Sequence, residues 1–281
     1  MPKSTVYGPV ASWRLGRSLG VDIICTEGKT CNFDCVYCQL GKTANLQTQR
    51  QEFVTLSRLI DDLNAVKGVT ADYVTFSGMG EPTLAANLGA AIAMAKFILG
   101  LPVSVLTNAS LINQEDVRRE LALADVIVAK LDAAEETLFQ KINRPAEGVS
   151  LAKIIQGLQA FRMEYKGKLA IEIMFTEMNR SVAYNLSYMA KFAIPDEVHL
   201  NTPLRPSDCK PLSNGEVAAL RRDWFWNMSN VISVYEAKRP EVTPLNMEET
   251  ELRHPTKLKS EAAPAQPSAE AGQPKGTQPA P

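Results

Sequence analysis

Between residues 18 and 236, short apolar runs alternate with longer segments in which apolar residues recur every three or four positions. The runs GVDIIC (20–25), DYVTFS (72–77), PVSVLT (102–107), DVIVAKL (125–131), LAIEIMF (169–175) and DEVHLN (196–201) predict strands, and VISVYE (231–236) predicts a weaker seventh. Leu56, Leu59, Ile60, Leu63 and Val66 mark one helix face, which Gly68 ends. Leu151, Ile154, Ile155, Leu158, Phe161 and Tyr165 mark a second, opened by Ser150 as N-cap. Residues 86–99 predict a third helix, and Ser213 caps a fourth that runs to Trp226. The stripe DWFWNM (223–228) at its end reads as core packing. Strands that are apolar almost throughout, separated by helices, imply a parallel sheet covered by helices. Six strong strands predict an α/β fold with a partial (β/α)6 barrel of parallel strands.

Polar residues or glycines follow the apolar runs at once. They are Ser77-Gly78-Met79-Gly80-Glu81, Thr107-Asn108, Lys130 with Asp132, Thr176, and Asn201 followed by Arg205. In a TIM-like parallel barrel the carboxyl ends of the strands open on one face, where chemistry gathers. Glu172 is different: it sits inside an apolar strand, where a carboxylate needs a partner or a ligand.

Composition narrows the class. The formal net charge of −1 gives no global field toward nucleic acid or an anionic membrane. The segment MPKSTVYGPVASW has no apolar signal region, and no apolar run reaches about 18 residues, so a soluble cytoplasmic protein is expected. From Pro240 onward lie eight of the seventeen prolines, and residues 260–281 contain no Leu, Ile, Val, Met or aromatic residue. Two regions follow: a core domain over 1–239, and a Pro/Ala-rich tail over 240–281 that is mostly disordered, its part after Lys259 adding nothing to fold or catalysis.

Five cysteines are too few for a disulfide framework, and three crowd into KTCNFDCVYCQLGK (29–42). Thiolates suit zinc, copper or iron–sulfur clusters. Cys31, Cys35 and Cys38 are one ligand short of an ordinary four-cysteine cluster, which would leave one iron open to a small molecule. The competing reading is a structural zinc site completed by Cys25, Cys209, His199 or His254. Cys25 otherwise reads as a small buried hydrophobe and Cys209 as an incidental thiol.

Cys31, Cys35, Tyr37 and Cys38 match the pattern C-x3-C-x-aromatic-C, and SGMGEP (77–82) stands where a glycine-rich motif would follow the second strand. On these residues the chain resembles the radical S-adenosylmethionine (SAM) superfamily over roughly residues 7–236, with Met79 in place of the first glycine of the usual pair. YGPVASWRLGRSLGVDI, KLDAAEETLFQKINRP and HLNTPLRP resemble a narrower branch of iron–sulfur oxidoreductases related to the wyosine tRNA-base synthesis enzyme.

The resemblance implies a [4Fe–4S] cluster on Cys31, Cys35 and Cys38, with SAM on the fourth iron. One electron from a reductant such as a flavodoxin or ferredoxin would cleave SAM to methionine and a 5′-deoxyadenosyl radical, which takes hydrogen from substrate. It places Tyr37 against the adenine, Gly78, Met79, Gly80 and Glu81 near the SAM amino group, and Thr107 and Asn108 near its ribose or carboxylate. Lys130 and Asp132 match a polar pair that the superfamily often carries after its fourth strand. An internal ion pair for Lys130 and Asp132, and a closed turn at Thr107 and Asn108, are the plainer alternatives. No catalytic side chain is assigned beyond the cluster and SAM.

Arg144 and Arg205 would bind an anion or form surface ion pairs. WRLGRSLG (13–20) would cradle phosphate or cover the cluster. The substrate class stays open among a small molecule, a peptide and RNA. A tRNA-base-modifying member is one alternative, although no basic RNA surface is evident. An iron–sulfur electron carrier or metal sensor without SAM, and a SAM-binding protein without chemistry, are the others.

Overall fold

A computed structural model describes residues 2–256. Its strands are β1 (Val6–Ser12), β2 (Gly16–Val21), β3 (Thr30–Cys31), β4 (Asn45–Leu46), β5 (Tyr73–Phe76), β6 (Val103–Thr107), β7 (Val126–Lys130), β8 (Lys168–Met174), β9 (Glu197–Asn201) and β10 (Val231–Ser233). Its helices are α1 (Leu56–Ala65), α2 (Leu88–Leu99), α3 (Glu115–Leu121), α4 (Glu136–Ile142), α5 (Leu151–Glu164), α6 (Ala183–Phe192), α7 (Asn214–Trp224) and α8 (Met247–Arg253). Eight strands form one sheet in the order β1-β2-β5-β6-β7-β8-β9-β10. From β2 to β10 every neighbour is parallel, and β1 alone is antiparallel, to β2. The expected partial barrel is therefore present, with β10 as the seventh parallel strand.

Two departures have local causes. The first parallel strand ends at Val21, not Cys25, because the Asp22 carboxylate accepts from the Ile24 and Cys25 amides (3.2 and 2.8 Å) and turns the chain out of the sheet. β1 had no predicted counterpart, since Gly8 and Pro9 interrupt its apolar pattern and shift its register between Tyr7 and Val10.

The strands alternate faces with period two. Val74, Phe76, Val105, Ile127, Ile171, Ile173 and Leu200 pack beneath the helices in the main core. At the intervening positions Val126, Val128 and Ala170 join Leu15 in a small second cluster inside the curl of the sheet. Farther along the same inner faces come Lys130, Glu172 and Asn201, so the inside of the barrel turns polar toward its carboxyl end. The helix starts follow the predicted chemistry: the Ser150 side chain accepts from the Lys153 amide, and Ser213 and Glu216 form a reciprocal capping box.

Helix α8 lies within the stretch 240–281 expected as a tail. Asn246 caps α8 by accepting from the Glu249 amide, and the last turn of that helix buries Arg253 completely. The Arg253 guanidinium pairs with Asp22 at 2.8 Å and Glu249 at 2.6 Å, and lies 5.1 Å over the Tyr7 ring. One buried arginine with two carboxylates outweighs the proline-rich composition around it. The part of the expected tail that covers 257–281 lies outside the described residues. The aromatic stripe is corrected: Phe225 is buried, whereas Trp224 and Trp226 are 42% and 75% exposed. Among the described residues no helix is long and apolar enough to cross a membrane.

Candidate active site

The cysteine loop is held by backbone on both sides. On one side the Thr30 amide donates to the Met79 carbonyl (2.8 Å) and the Glu81 amide to the Thr30 carbonyl (3.3 Å). On the other, residues 142–146 run alongside: the Asp34 amide donates to the Asn143 carbonyl, Val36 to Ile142, and Ala146 to Asn32 (3.1, 2.9 and 2.8 Å). KINRP thus clamps the loop with its main chain. Its Arg144 side chain is half exposed and only 3.8 Å from Asp34.

Cys31, Cys35 and Cys38 line a cavity of about 570 Å³. Burial pushes the Cys31 thiol up and the Cys35 thiol to about 11, against the pull of Lys29. Amide groups point at two of the sulfurs: Asn108 Nδ2 lies 3.6 Å from Cys31 Sγ, and Asn143 Nδ2 lies 3.5 Å from Cys35 Sγ. Lys29 is the anomaly. Its side chain is 3% exposed, its Nζ makes no hydrogen bond, and the nearest carboxylate, Asp34, is 3.9 Å away. Burial works against that charge, but Cys38, Cys31, Cys35 and Asp34 together hold its pKa above the usual value. A buried ammonium facing three thiols fits an anionic metal–thiolate group. Among the described residues no three His, Cys, Asp or Glu side chains converge on a single-ion site. A cluster has no such need, because each iron takes one thiolate.

The second loop follows β5. Gly78 has φ +131°, and a Cβ there would lie 2.5 Å from the Asp22 carboxyl carbon. At Gly80 a Cβ would fall 1.6 Å from the Thr30 carbonyl oxygen, so only glycine allows this loop to lie against the cysteine loop. Glu81 turns inward. It accepts from the Thr83 amide and hydroxyl (3.1 and 2.7 Å), the Thr107 hydroxyl (2.6 Å) and the Asn108 amide (2.7 Å). Burial raises its pKa even so. Its carboxylate is spent on joining the ends of β5 and β6. Gly78, Gly80, Glu81, Thr107 and Asn108 border the cavity, whereas Met79 lies buried behind the wall.

A third group closes the floor. The Tyr37 hydroxyl donates to Asp132, and Asn143 Nδ2 reaches the same carboxylate oxygen at 3.0 Å. Lys130 lies 5.1 Å over the Tyr37 ring and 3.2 Å from both Asp132 and Glu172. Arg14, from the turn between β1 and β2, also pairs with Glu172. Burial works to raise the Glu172 pKa, but Arg14 and Lys130 overcome it and hold the carboxyl well below its usual range. The internal ion pair considered for Lys130 and Asp132 is present. Tyr37 and Lys130 line the cavity, and Asp132 supports them from beneath. WRLGRSLG divides, with Arg14 facing inward and Arg17 paired with Asp72 at the surface.

The opposite wall holds Ser12, Arg239 and Arg253, which the sequence did not point to, together with Trp13 of WRLGRSLG and His254, considered from sequence only as a zinc ligand. Arg205, singled out as one of two anion-binding candidates, lies among them, and Arg144 does not. Cys25 sits near Arg58 and Arg253, apart from the cavity lining, and Cys209 occupies an outer loop.

Residues 28–180 match the sequence profile of the Radical SAM superfamily. The chain is 44% identical over 209 residues to a UPF0026 protein of Synechocystis sp., covering 74% of this chain and 77% of the relative. Its fold is similar to Streptococcus suis SuiB bound to S-adenosylmethionine, with a TM-score of 0.59 at 16% identity over 78% of this chain; the chain spans half the length of that protein. It is also similar to TYW1 with a lysine-pyruvate adduct bound, with a TM-score of 0.56 at 18% identity, covering 76% of this chain and 74% of that one.

Proposed function

The chain belongs to the radical SAM superfamily, and from that premise we propose that it is an enzyme whose cavity holds a [4Fe–4S] cluster and SAM side by side. The observation that carries the proposal is convergence: the three thiols, the Gly78–Glu81 loop and Asn108 open on one cavity, beside a buried lysine whose ammonium makes no hydrogen bond and has Asp34 only at 3.9 Å. Cys31, Cys35 and Cys38 would hold the cluster, and Gly78, Gly80 and Asn108 would face SAM. When bound, these groups supply one-electron cleavage of SAM to a 5′-deoxyadenosyl radical, which takes a hydrogen atom from substrate.

The protein's own part is positioning and shielding. Lys29 offsets negative charge at the thiolates, and the Asn108 and Asn143 amides act on two of the sulfurs, as outer-shell donors do. The Glu81 knot fixes the glycine loop against the cysteine loop. Asp132 and Asn143 hold Tyr37 in place under Lys130, and α8 covers one side of the cavity with Arg253 and His254, keeping water out. The domain carrying this chemistry would extend through α8.

Anaerobic reconstitution tests the reading. Cys31→Ala, Cys35→Ala and Cys38→Ala should each lose bound iron, whereas Cys25→Ala and Cys209→Ala should keep it. Added SAM should change the electron paramagnetic resonance spectrum of the reduced protein and yield 5′-deoxyadenosine slowly without substrate. A spectrum indifferent to SAM would overturn the proposal.

A further inference from the structure

We propose that the wall opposite the glycine loop binds an anionic group of the substrate, a carboxylate or a phosphate, through Arg205 and Arg239. The inference rests on the function proposed above and adds the chemistry of what enters beside SAM.

Arg205 follows β9, and Arg239 lies beyond β10; both line the cavity. Arg205 donates one hydrogen bond, to the His254 carbonyl at 3.4 Å. Among the described residues neither guanidinium forms an ion pair. Burial, and then the neighbouring charge of Arg239, depress the pKa of Arg205, with Arg14 adding to them and Tyr7 and Glu251 opposing. Other arginines of this chain are matched: Arg17 with Asp72, Arg50 with Asp116 and Glu120, Arg162 with Asp196, Arg221 with Glu236. Arg14 on the same wall already has Glu172. Two guanidiniums brought to a partly buried wall, with the charge of Glu251 felt by Arg205 but not in ion-pair contact with it, repel each other, and an anion held by their forked donors offsets that cost.

The imidazole of His254 marks the same place. It lines the cavity, its Nδ1 is buried without a partner, and burial with Arg205, Arg14 and Arg253 pushes its pKa down to about 3. A neutral ring with an unused nitrogen can donate to or accept from a ligand without adding charge.

Sheet order separates this wall from the SAM side. The glycine loop follows β5, and Thr107 and Asn108 end β6, whereas Arg205 and Arg239 follow β9 and β10; β7 and β8 stand between. The proposed function puts SAM with the first group, which leaves the second for the substrate.

The test uses the full chain, anaerobically reconstituted, titrated with inorganic phosphate and separately with malonate, binding being read by calorimetry. At least one anion should bind, and added sodium chloride should weaken it; comparison of the two tells phosphate from carboxylate. Arg205→Gln should weaken that binding roughly tenfold or more, and Arg239→Gln by about threefold. Arg205→Lys should fall between wild type and Arg205→Gln, which keeps the result readable if one variant folds poorly. Arg144→Gln, at the exposed position beside Asp34, should leave it unchanged. SAM affinity, measured by equilibrium dialysis, should stay within about twofold in every variant. Anion binding that survives Arg205→Gln unaltered would overturn the inference. So would loss of SAM affinity with anion binding intact, since Arg205 would then serve SAM. Failure of wild-type protein to cleave SAM would count against the proposed function alone, because the titrations do not read cleavage.

Discussion

On the flank built by the ends of β2, β5 and β6, the carboxylate and amides next to the cavity are committed to protein partners: four donors converge on Glu81, and Asn108 is bonded through its main chain and its side chain. On the flank beyond β9 and β10, Arg205 and Arg239 form no carboxylate pair among the described residues. The first flank is a frame whose dimensions are fixed before anything binds, and its weakly paired cation, Lys29, faces the thiols. The second flank is charged in advance and completed by what arrives. A buried charge without a partner is costly. Where a fold keeps a weakly paired charge beside a cavity, an anionic ligand can complete it, a cluster in the first proposal and a substrate in the second.

Four changes test that contrast, in decreasing order of consequence. Gly80→Val breaks the frame. Because its Cβ would meet the Thr30 backbone and not a movable side chain, the loss should exceed the ~3 kcal/mol at the top of the usual overpacking range. Both iron retention after reconstitution and SAM binding should collapse; loss of SAM binding alone would show that the two loops are independent.

Arg253→Met leaves Asp22 and Glu249 buried without their cation. The cost of breaking such a pair is about 3–5 kcal/mol, equivalent to a thermal midpoint roughly ten degrees lower. A midpoint within two degrees of wild type would mean that α8 contributes little to the fold.

Glu172→Gln strips Arg14 of its carboxylate and should cost about 3 kcal/mol, the lower end of that range, because Lys130 keeps Asp132. The pH dependence follows from the lowered carboxyl pKa. Its stabilisation is fully present above the ordinary value of 4.5 and is lost as pH falls toward the lower folded value. The difference in midpoint between wild type and variant should be constant from pH 8 to pH 6 and shrink below about pH 4.5. A gap that widened in acid would contradict the assigned charge.

Lys29→Met should change the midpoint of the metal-free chain little, since its ammonium makes no hydrogen bond and Asp34, 3.9 Å away, is partly exposed and stays solvated without it. After reconstitution, iron should be lost to a chelator roughly tenfold faster, as one charge-assisted contact implies. Equal chelator resistance would place Lys29 outside the cluster's environment.

Much of the frame was legible because it depends on local rules. Near-continuous apolar runs gave the parallel strands, Ser150 and Ser213 gave helix starts, and the cysteine spacing gave the loop. What stayed hidden depends on contacts distant in sequence. That the Glu81 carboxylate accepts from Thr107 and Asn108, at the end of another strand, could not be read from its own segment. Met79 and Asp132 fell one layer behind the wall for the same kind of reason. Arg205 and Arg144 looked alike in sequence, each before a proline, and only the fold separates the cavity from the surface. α8 did carry a signal: in NMEETELR an N-cap asparagine precedes two acidic residues and an arginine ends the segment, but the surrounding prolines outweighed it.

The Asp22–Arg253 pair also sets an order of assembly. Its members are 231 positions apart, so at ~5–20 residues per second the ribosome makes the arginine about ten to fifty seconds after the aspartate. Through that interval Asp22 has no cation, and burying its ionised carboxylate is costly until Arg253 arrives. Closure of the segment around Asp22, which leads into the cysteine loop, is therefore favoured only once α8 has been made, after most of the barrel.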